Sequence, residues 1–130
     1  MRVMVVVKAT AQSETGVMPE DPSMFIEMGK FNDELIAAGV MLDGAGLKAS
    51  SNGKRLTFKG KKAAVIDGPF AETKELIAGY TLIQVKDMAD AVQWASRAPM
   101  QDGDSREVRP FYEPEDFAGL VPDDMVEQEK

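Results

Sequence analysis

The sequence Asp67-Gly68-Pro69-Phe70-Ala71-Glu72-Thr73-Lys74-Glu75 places a turn, an aromatic ring and four ionisable side chains directly after an apolar segment, Ala63 to Ile66. Asp-Gly-Pro is typical of a strand end followed by a tight turn, because glycine and proline adopt turn dihedral angles readily and aspartate accepts hydrogen bonds from nearby amides. We therefore expect a strand over 63–66 and a loop after it. Loops carry many binding groups, so this loop is the first candidate for a functional site.

The length and composition indicate one globular domain. The chain has 130 residues, and 44% of them are hydrophobic, which is enough for a buried core. It contains no cysteine, so disulfides and thiolate metal sites are excluded. The apolar opening segment, Arg2 to Val7, is too short to span a bilayer and does not have the architecture of a signal peptide. A cytoplasmic protein with no membrane partner is therefore expected.

The net charge of −7 is concentrated at the C-terminal end. Residues 1–112 carry 15 acidic and 14 basic side chains, whereas residues 113–130 carry 7 acidic side chains and one basic residue, Lys130. We predict a domain over residues 1–117 and a solvated acidic tail over 118–130. A cluster of five basic residues between Lys54 and Lys62 is typical of a hairpin whose lysines prevent edge pairing, and direct nucleic-acid binding is not expected.

Hydrophobic periodicity predicts the elements of the first half. Residues 3–8 form a continuous apolar run suited to a buried strand. Asp21 is expected to cap a helix over 22–38 that Gly39 ends. One face of this helix carries apolar residues spaced by three and four: Met24, Met28, Phe31, Leu35 and Ala38. A short strand over 40–42 leads into two glycines, Gly44 and Gly46, which indicate a bend or bulge.

The remaining elements include a predicted hairpin and a second strand, helix and strand. Asn52-Gly53 predicts a hairpin turn between residues 47–50 and 56–59. A strand is expected over 79–85, followed by a helix over 88–98 that Asp87 caps. The last strand is predicted over 107–112, and Pro110 within it indicates an edge position or a bulge.

A strand, helix and strand thus occur twice, with a hairpin between them. Two such units joined right-handedly form an α+β fold of the ferredoxin-like type, βαββαβ, with both helices on one face of an antiparallel sheet. Apolar strand residues on the other face need a cover; Val5, Val7, Leu82 and Phe111 are the expected examples. A homodimer in which two sheets face each other would provide that cover.

Three segments resemble a known family. They are Asp67 to Glu75, Gly79-Tyr80, and Glu107-Val108-Arg109-Pro110-Phe111-Tyr112-Glu113-Pro114-Glu115-Asp116-Phe117, and together they resemble the DGPF branch of the YCII-related proteins. The resemblance runs from the first strand to about Phe117. It implies a dimeric α+β barrel whose two sheets enclose a pocket. Members of the wider group are linked to small-molecule lyase chemistry such as chloromuconolactone dehydrochlorination, and DGPF domains occur fused to or near alternative sigma factors.

The chain departs from the wider family at one residue type. The resemblance implies a catalytic histidine on the first helix, paired with an aspartate, but this chain contains no histidine. Counting back from Gly39 places Met28 at the position of that histidine. Histidine-dependent proton transfer is therefore excluded, and acid or base catalysis would fall to carboxylates, lysine or tyrosine.

The candidate site residues follow from these limits. The catalytic candidates are Asp43, Asp67 and Glu72, because two carboxylates held close together or in an apolar pocket can act as acid and base. Lys74 and Arg109 are candidates for binding a substrate carboxylate or an enolate-like charge, and Phe70 and Tyr80 for lining the pocket.

Each candidate also has a purely structural interpretation. Asp67 can bond the backbone of its own turn, and Asp43 can cap a bend. Glu72 can form ion pairs with Lys74 or Arg109 that hold the loop, and Arg109 can also face solvent or a partner chain.

Two functions remain open at this point. One is a homodimeric enzyme or binding protein for a small molecule, with lyase-like chemistry as the candidate reaction. The other is a regulatory module that associates with a sigma factor through the acidic tail or the basic hairpin. No cofactor is predicted, and no metal site is predicted either, because the sequence lacks histidine, cysteine and any calcium-loop spacing.

Overall fold

The computed structural model describes residues 1–120, except for the side chain of Lys74. The described residues form six strands and three α-helices. The strands are β1 Arg2–Lys8, β2 Met41–Gly46, β3 Lys54–Lys59, β4 Lys62–Asp67, β5 Ile77–Gln84 and β6 Arg106–Pro110, and the helices are α1 Ala11–Glu14, α2 Ser23–Ala37 and α3 Met88–Ser96. The predicted acidic tail lies outside the described residues from position 121 onward.

The fold is α+β and ferredoxin-like, as predicted. Four strands form one antiparallel sheet in the order β2-β5-β1-β6, and β3 pairs only with β4 in a separate hairpin. The strand β6 lies at the edge of the sheet, which confirms the edge position inferred from Pro110. Proline has no amide hydrogen, and at the outer side of an edge strand no ladder hydrogen bond is lost.

The core lies between one face of the sheet and the two longer helices. Val3 and Val5 from β1 pack with Ile83 from β5, with Phe31 and Leu35 from α2, and with Ala91 from α3. Val5 was therefore assigned to the wrong face, and Val7 with it, because alternate strand residues point to the same side. Leu82 lies on the other side, since it alternates with Ile83. We call this second side, opposite α2 and α3, the open face.

The helix ends differ slightly from the predictions. Asp21 does not occupy the cap position of α2; Pro22 does, and the Asp21 carboxylate accepts a hydrogen bond from the Ser23 amide at 2.9 Å. Gly39 follows α2 at φ +72°, the left-handed conformation expected of a helix-ending glycine. Asp87 caps α3 as predicted, and its side chain accepts the Asp90 amide at 2.8 Å.

The hairpin prediction was wrong in position. Residues 50–52 form a single 3-10 turn, and Gly53 has φ −108°, not the positive φ that an Asn-Gly hairpin turn requires. The actual turn is Gly60-Lys61 between β3 and β4, with Gly60 at φ +62°, as in turns that place glycine first. The short helix α1 was not predicted, although Thr10 and Ser13 form a reciprocal capping box at its start.

Candidate functional site

The open face carries most of the predicted site residues that lie on the main sheet. Across the sheet, Asp43 is in register with Leu82, Leu82 with Met4, and Met4 with Arg109. A parallel row next to it contains Ala45, Tyr80, Val6 and Glu107. The open face therefore has an apolar centre, with an acid and a phenol near the β2 edge and charged side chains at the β6 edge.

Asp43 and Tyr80 are the one pair of predicted site residues that the structure brings into direct contact among the described side chains. The Tyr80 hydroxyl donates to Asp43 Oδ2 at 3.3 Å, and the Gly44 amide donates to Oδ1 at 2.8 Å. The carboxylate raises the pKa of the Tyr80 phenol, first by its charge and further through desolvation and this hydrogen bond. The phenol, which is protonated at neutral pH even at its ordinary pKa of 10.0, serves as a hydrogen-bond donor to Asp43.

The β2 strand positions Asp43 through an irregularity in its pairing with β5. The register shifts between Met41 and Asp43, so the irregularity lies just before the two glycines where a bend or bulge was predicted. Space beside Gly44 is limited: an added Cβ would lie 2.8 Å from the Met41 methyl group, which can move away, and 3.3 Å from the Tyr80 carbonyl oxygen. The close approach of β2 to β5 at this point brings Asp43 within reach of Tyr80.

Arg109 is exposed at the opposite end of the same row. Three strand spacings of about 4.8 Å separate the backbone at position 109 from the backbone at position 43, or roughly 14 Å. Leu82 and Met4 occupy the two positions between them. The row thus places an acid at one end, a guanidinium group at the other and an apolar floor between them.

Asp67 lies elsewhere, at the base of the hairpin. Its carboxylate accepts a hydrogen bond from Lys54 Nζ at 2.6 Å, and the two residues are directly paired across β3 and β4. It thus bonds a lysine side chain, whereas Asp43 bonds a tyrosine. The two candidate carboxylates have different partners.

The loop after Asp67 packs against the turn at residues 50–53. An added Cβ at Gly68 would lie 1.8 Å from the Ser50 carbonyl oxygen, so glycine is required there. The Gly68 amide donates to the Gly53 carbonyl at 3.0 Å, and the Phe70 amide donates to Ser50 Oγ at 3.1 Å. The Arg55 guanidinium lies 4.1 Å from the centre of the Phe70 ring. The described contacts of Phe70 are therefore with the hairpin base, at Ser50 and Arg55.

Two further candidates lie on this loop. Glu72 is exposed, and its carbonyl accepts the Glu75 amide at 2.9 Å in a short 3-10 turn. Lys74 belongs to that turn, but its side chain lies outside the described part of the structure. The proposed role of Lys74 in binding an anion therefore stays a prediction.

A family model for the YCII-related domain matches residues 1–113 of the chain. The chain belongs to the YCII-related family. The matched segment includes the whole four-stranded sheet, the hairpin and the loop at residues 67–75. A search of curated proteins finds no match.

Met28, which counting back from Gly39 aligns with the histidine expected from the wider family, lies on α2 of this YCII-related domain. Met28 is half-buried against the core, and its sulfur lies 3.8 Å from Arg106 Nη2. Arg106 was not among the predicted site residues, because the last strand was expected to begin at residue 107. It lies on the helix-facing side of β6, in register with Val7 and two residues from the half-buried Val108.

The hairpin of this YCII-related protein is exposed on both strands. Leu56 pairs with Val65, and Phe58 pairs with Ala63 on the same face of the hairpin. Leu56, Phe58 and Val65 are 52%, 72% and 59% exposed, which leaves an apolar ladder in solvent. A two-stranded hairpin is only marginally stable alone, so this ladder is a candidate contact surface.

Within residues 1–120, the YCII-related domain has no group of three or more acidic side chains placed to hold a metal ion. None of its described helices is both long enough and apolar enough to cross a membrane.

Proposed function

We propose that this protein is a homodimer of the DGPF branch that binds a small molecule in a pocket between two open faces. The observation that carries the proposal is the apolar centre of the open face, where Met4 and Leu82 are only half-buried and Val6 is 9% exposed, between charged edges. Bringing two such faces together would remove their remaining apolar surface from water, which stabilises the dimer by about 25 cal/mol for each Å² buried. The charged rim would remain accessible to a polar ligand.

The chemistry that fits this face is acid–base catalysis without histidine. Asp43 would act as the general base once the partner's open face covers its carboxylate, which is exposed in the single chain and is held in place by the Gly44 amide. Tyr80 would donate a hydrogen bond to the substrate or to the Asp43 carboxylate, since a phenol is protonated at neutral pH and Asp43 raises its pKa further. Arg109, at the far end of the row, would hold a substrate carboxylate. In a lyase-like elimination, Asp43 would take a proton from carbon while the bond to an anionic leaving group breaks and that anion departs to solvent.

Native mass spectrometry, comparing gentle with denaturing conditions, tests the assembly and the pocket together. The expected result is a species of twice the 14.2 kDa chain mass that carries a discrete small molecule, which denaturation releases. A monomer at micromolar concentration would contradict the dimer. An empty dimer would favour the second function below.

A matched pair of variants locates the interface. Leu82→Arg, in the centre of the open face, is expected to convert the dimer to a monomer, because it would bury an unpaired charge. Ile36→Arg is the control, since Ile36 is 61% exposed on α2, on the other side of the sheet. Circular dichroism checks that both variants fold. A dimer that tolerates Leu82→Arg but not Ile36→Arg would place the interface on the helices.

The second function is that of an accessory protein that contacts an alternative sigma factor. The exposed apolar ladder of the hairpin, Leu56, Phe58 and Val65, favours it, because monomeric domains seldom leave such a strip in solvent. Two separate variants, Phe58→Ser and a deletion of residues 118–130, test this function in a binding assay with a sigma factor of the same host. Loss of binding in either variant, with the dimer and its ligand intact, would support recruitment; retention in both would contradict it.

A further inference from the structure

A groove lies between α3 and β6, on the helix side of the sheet. Its volume is about 480 Å³, within the range of small-molecule sites. Val92 and Ala95 of α3, Arg106 and Val108 of β6, and Asp104 just before β6 are among the residues that line it. Because α3 packs on the helix-facing side, the groove is separated from the open face by the sheet itself.

Arg106 has an unusual environment for a cation. Its side chain is half-buried, and its described hydrogen bonds are to two thioether sulfurs, from Nε to Met100 Sδ at 3.3 Å and from Nη2 to Met28 Sδ at 3.8 Å. Thioether sulfur is a weak acceptor, whereas a guanidinium group has five N–H donors and a full charge. No ion pair involves Arg106 within residues 1–120.

Asp104, an acid in the groove lining, forms no ion pair with this guanidinium group. Burial lowers the pKa of Arg106, and the charge of Asp104 offsets part of that lowering. The Asp104 carboxylate accepts the Gln101 amide at 2.9 Å. It would also repel a ligand with several negative charges, so a single carboxylate is favoured over a phosphate. The guanidinium fork matches a carboxylate in two parallel hydrogen bonds.

We propose that this groove binds a small monocarboxylic acid, with the carboxylate on Arg106 and an apolar carbon skeleton along Ala95, Val92 and Val108. The site does not depend on the dimer pocket, because it lies on the opposite side of the sheet. A phosphate monoester is the alternative anion, and the test below distinguishes it.

Titration of ¹⁵N-labelled protein with benzoate, benzamide and phenyl phosphate, followed by amide chemical shifts, tests the proposal. Benzoate is expected to shift the amides of Ala95, Arg106 and Val108, and the neutral isostere benzamide to bind at least tenfold more weakly. Equal binding of benzamide, or benzoate shifts on another surface, would overturn the proposal. Phenyl phosphate binding tenfold more tightly than benzoate would overturn the carboxylate assignment.

Two charge-neutralising variants complete the test. Arg106→Gln is expected to weaken benzoate binding at least tenfold. Arg97→Gln, which removes the same charge from the exposed end of α3, is expected to leave it unchanged within twofold. Arg106→Lys keeps the charge but loses the fork, so intermediate binding is expected. If Arg106→Gln does not fold, as judged by circular dichroism, the wild-type shift map and the benzamide comparison still decide the proposal.

Discussion

Replacement of Gly68 by alanine is expected to detach the loop at residues 67–75 from the turn at residues 50–53. The added methyl group would lie 1.8 Å from the Ser50 carbonyl oxygen, whereas an ordinary contact begins at 3.4 Å. The loop or the turn must therefore move by roughly 1.6 Å. Extra atoms in a well-packed region force such shifts and destabilise the fold. Such a shift breaks the bond from the Gly68 amide to Gly53 and the bond from the Phe70 amide to Ser50.

Two hydrogen bonds of about 0.5–1.5 kcal/mol each give a local loss of roughly 1–3 kcal/mol. Because 1.4 kcal/mol corresponds to a factor of ten, hydrogen exchange at the amides of positions 68 and 70 should accelerate by about five- to 140-fold in Gly68→Ala. Exchange in β1 and β5 should change little, because these strands do not contact the loop through the two lost bonds. Unchanged protection at both positions would refute the claim that Ser50 requires a glycine here.

Gly29→Ala is the matched control for the same chemical change. Gly29 lies inside α2, and apart from the neighbouring backbone of that helix no atom lies within 4 Å of the added Cβ. Alanine forms helix more readily than glycine by about 0.8–1.0 kcal/mol, so this variant should be more stable in urea, as followed by the fluorescence of Trp94. A loss of stability in Gly68→Ala and a gain in Gly29→Ala would show that steric contact, and not the entropy of the glycine backbone, causes the effect at position 68.

Two predictions concern ionisable contacts. In a Tyr112→Phe background, which leaves Tyr80 as the remaining tyrosine, alkaline absorbance titration should give a phenol pKa above 10.0, and Asp43→Asn should lower it toward 10.0. The stabilising contribution of the protonated phenol is present below pH 10.0 and is lost as the pH rises through the raised pKa; an unchanged midpoint in Asp43→Asn would disprove the contact. Glu113→Gln should lower the urea midpoint at pH 7 but not well below pH 4.5, because hydrogen bonds and charge from Arg2 lower the pKa of Glu113 and stabilise only its ionised form. An equal loss at both pH values would indicate a packing effect.

The sequence predicted the sheet and the two longer helices because their signals are local and periodic. The stripe from Met24 to Leu35 and the cap at Asp87 need no tertiary information. The hairpin was misplaced because two turn signals, Asn52-Gly53 and Gly60-Lys61, lie eight residues apart. Only long-range pairing, which joins Lys54 to Asp67, decides between them.

The candidate site was harder to predict than the fold. Alternation along β1 tells which residues share a face, but not which face the helices cover, and Val5 was misassigned for that reason. The contact between Asp43 and Tyr80 depends on a bulge that brings residues 37 positions apart together. Arg106 had no sequence signal, since its significance lies in the weak acceptors around it and in the groove beside it.

The alternation that limits prediction also separates the two proposed sites. Arg106 and Arg109 lie three residues apart on β6, so the strand directs one to the helix side and the other to the open face. Neutralising Arg106 should therefore affect acid binding in the groove, whereas neutralising Arg109 should affect only the proposed dimer pocket. If Arg109→Gln weakened benzoate binding as much as Arg106→Gln, the anion would be recognised by overall charge and not by a site. The two variants thus distinguish a specific groove from a merely basic strand edge.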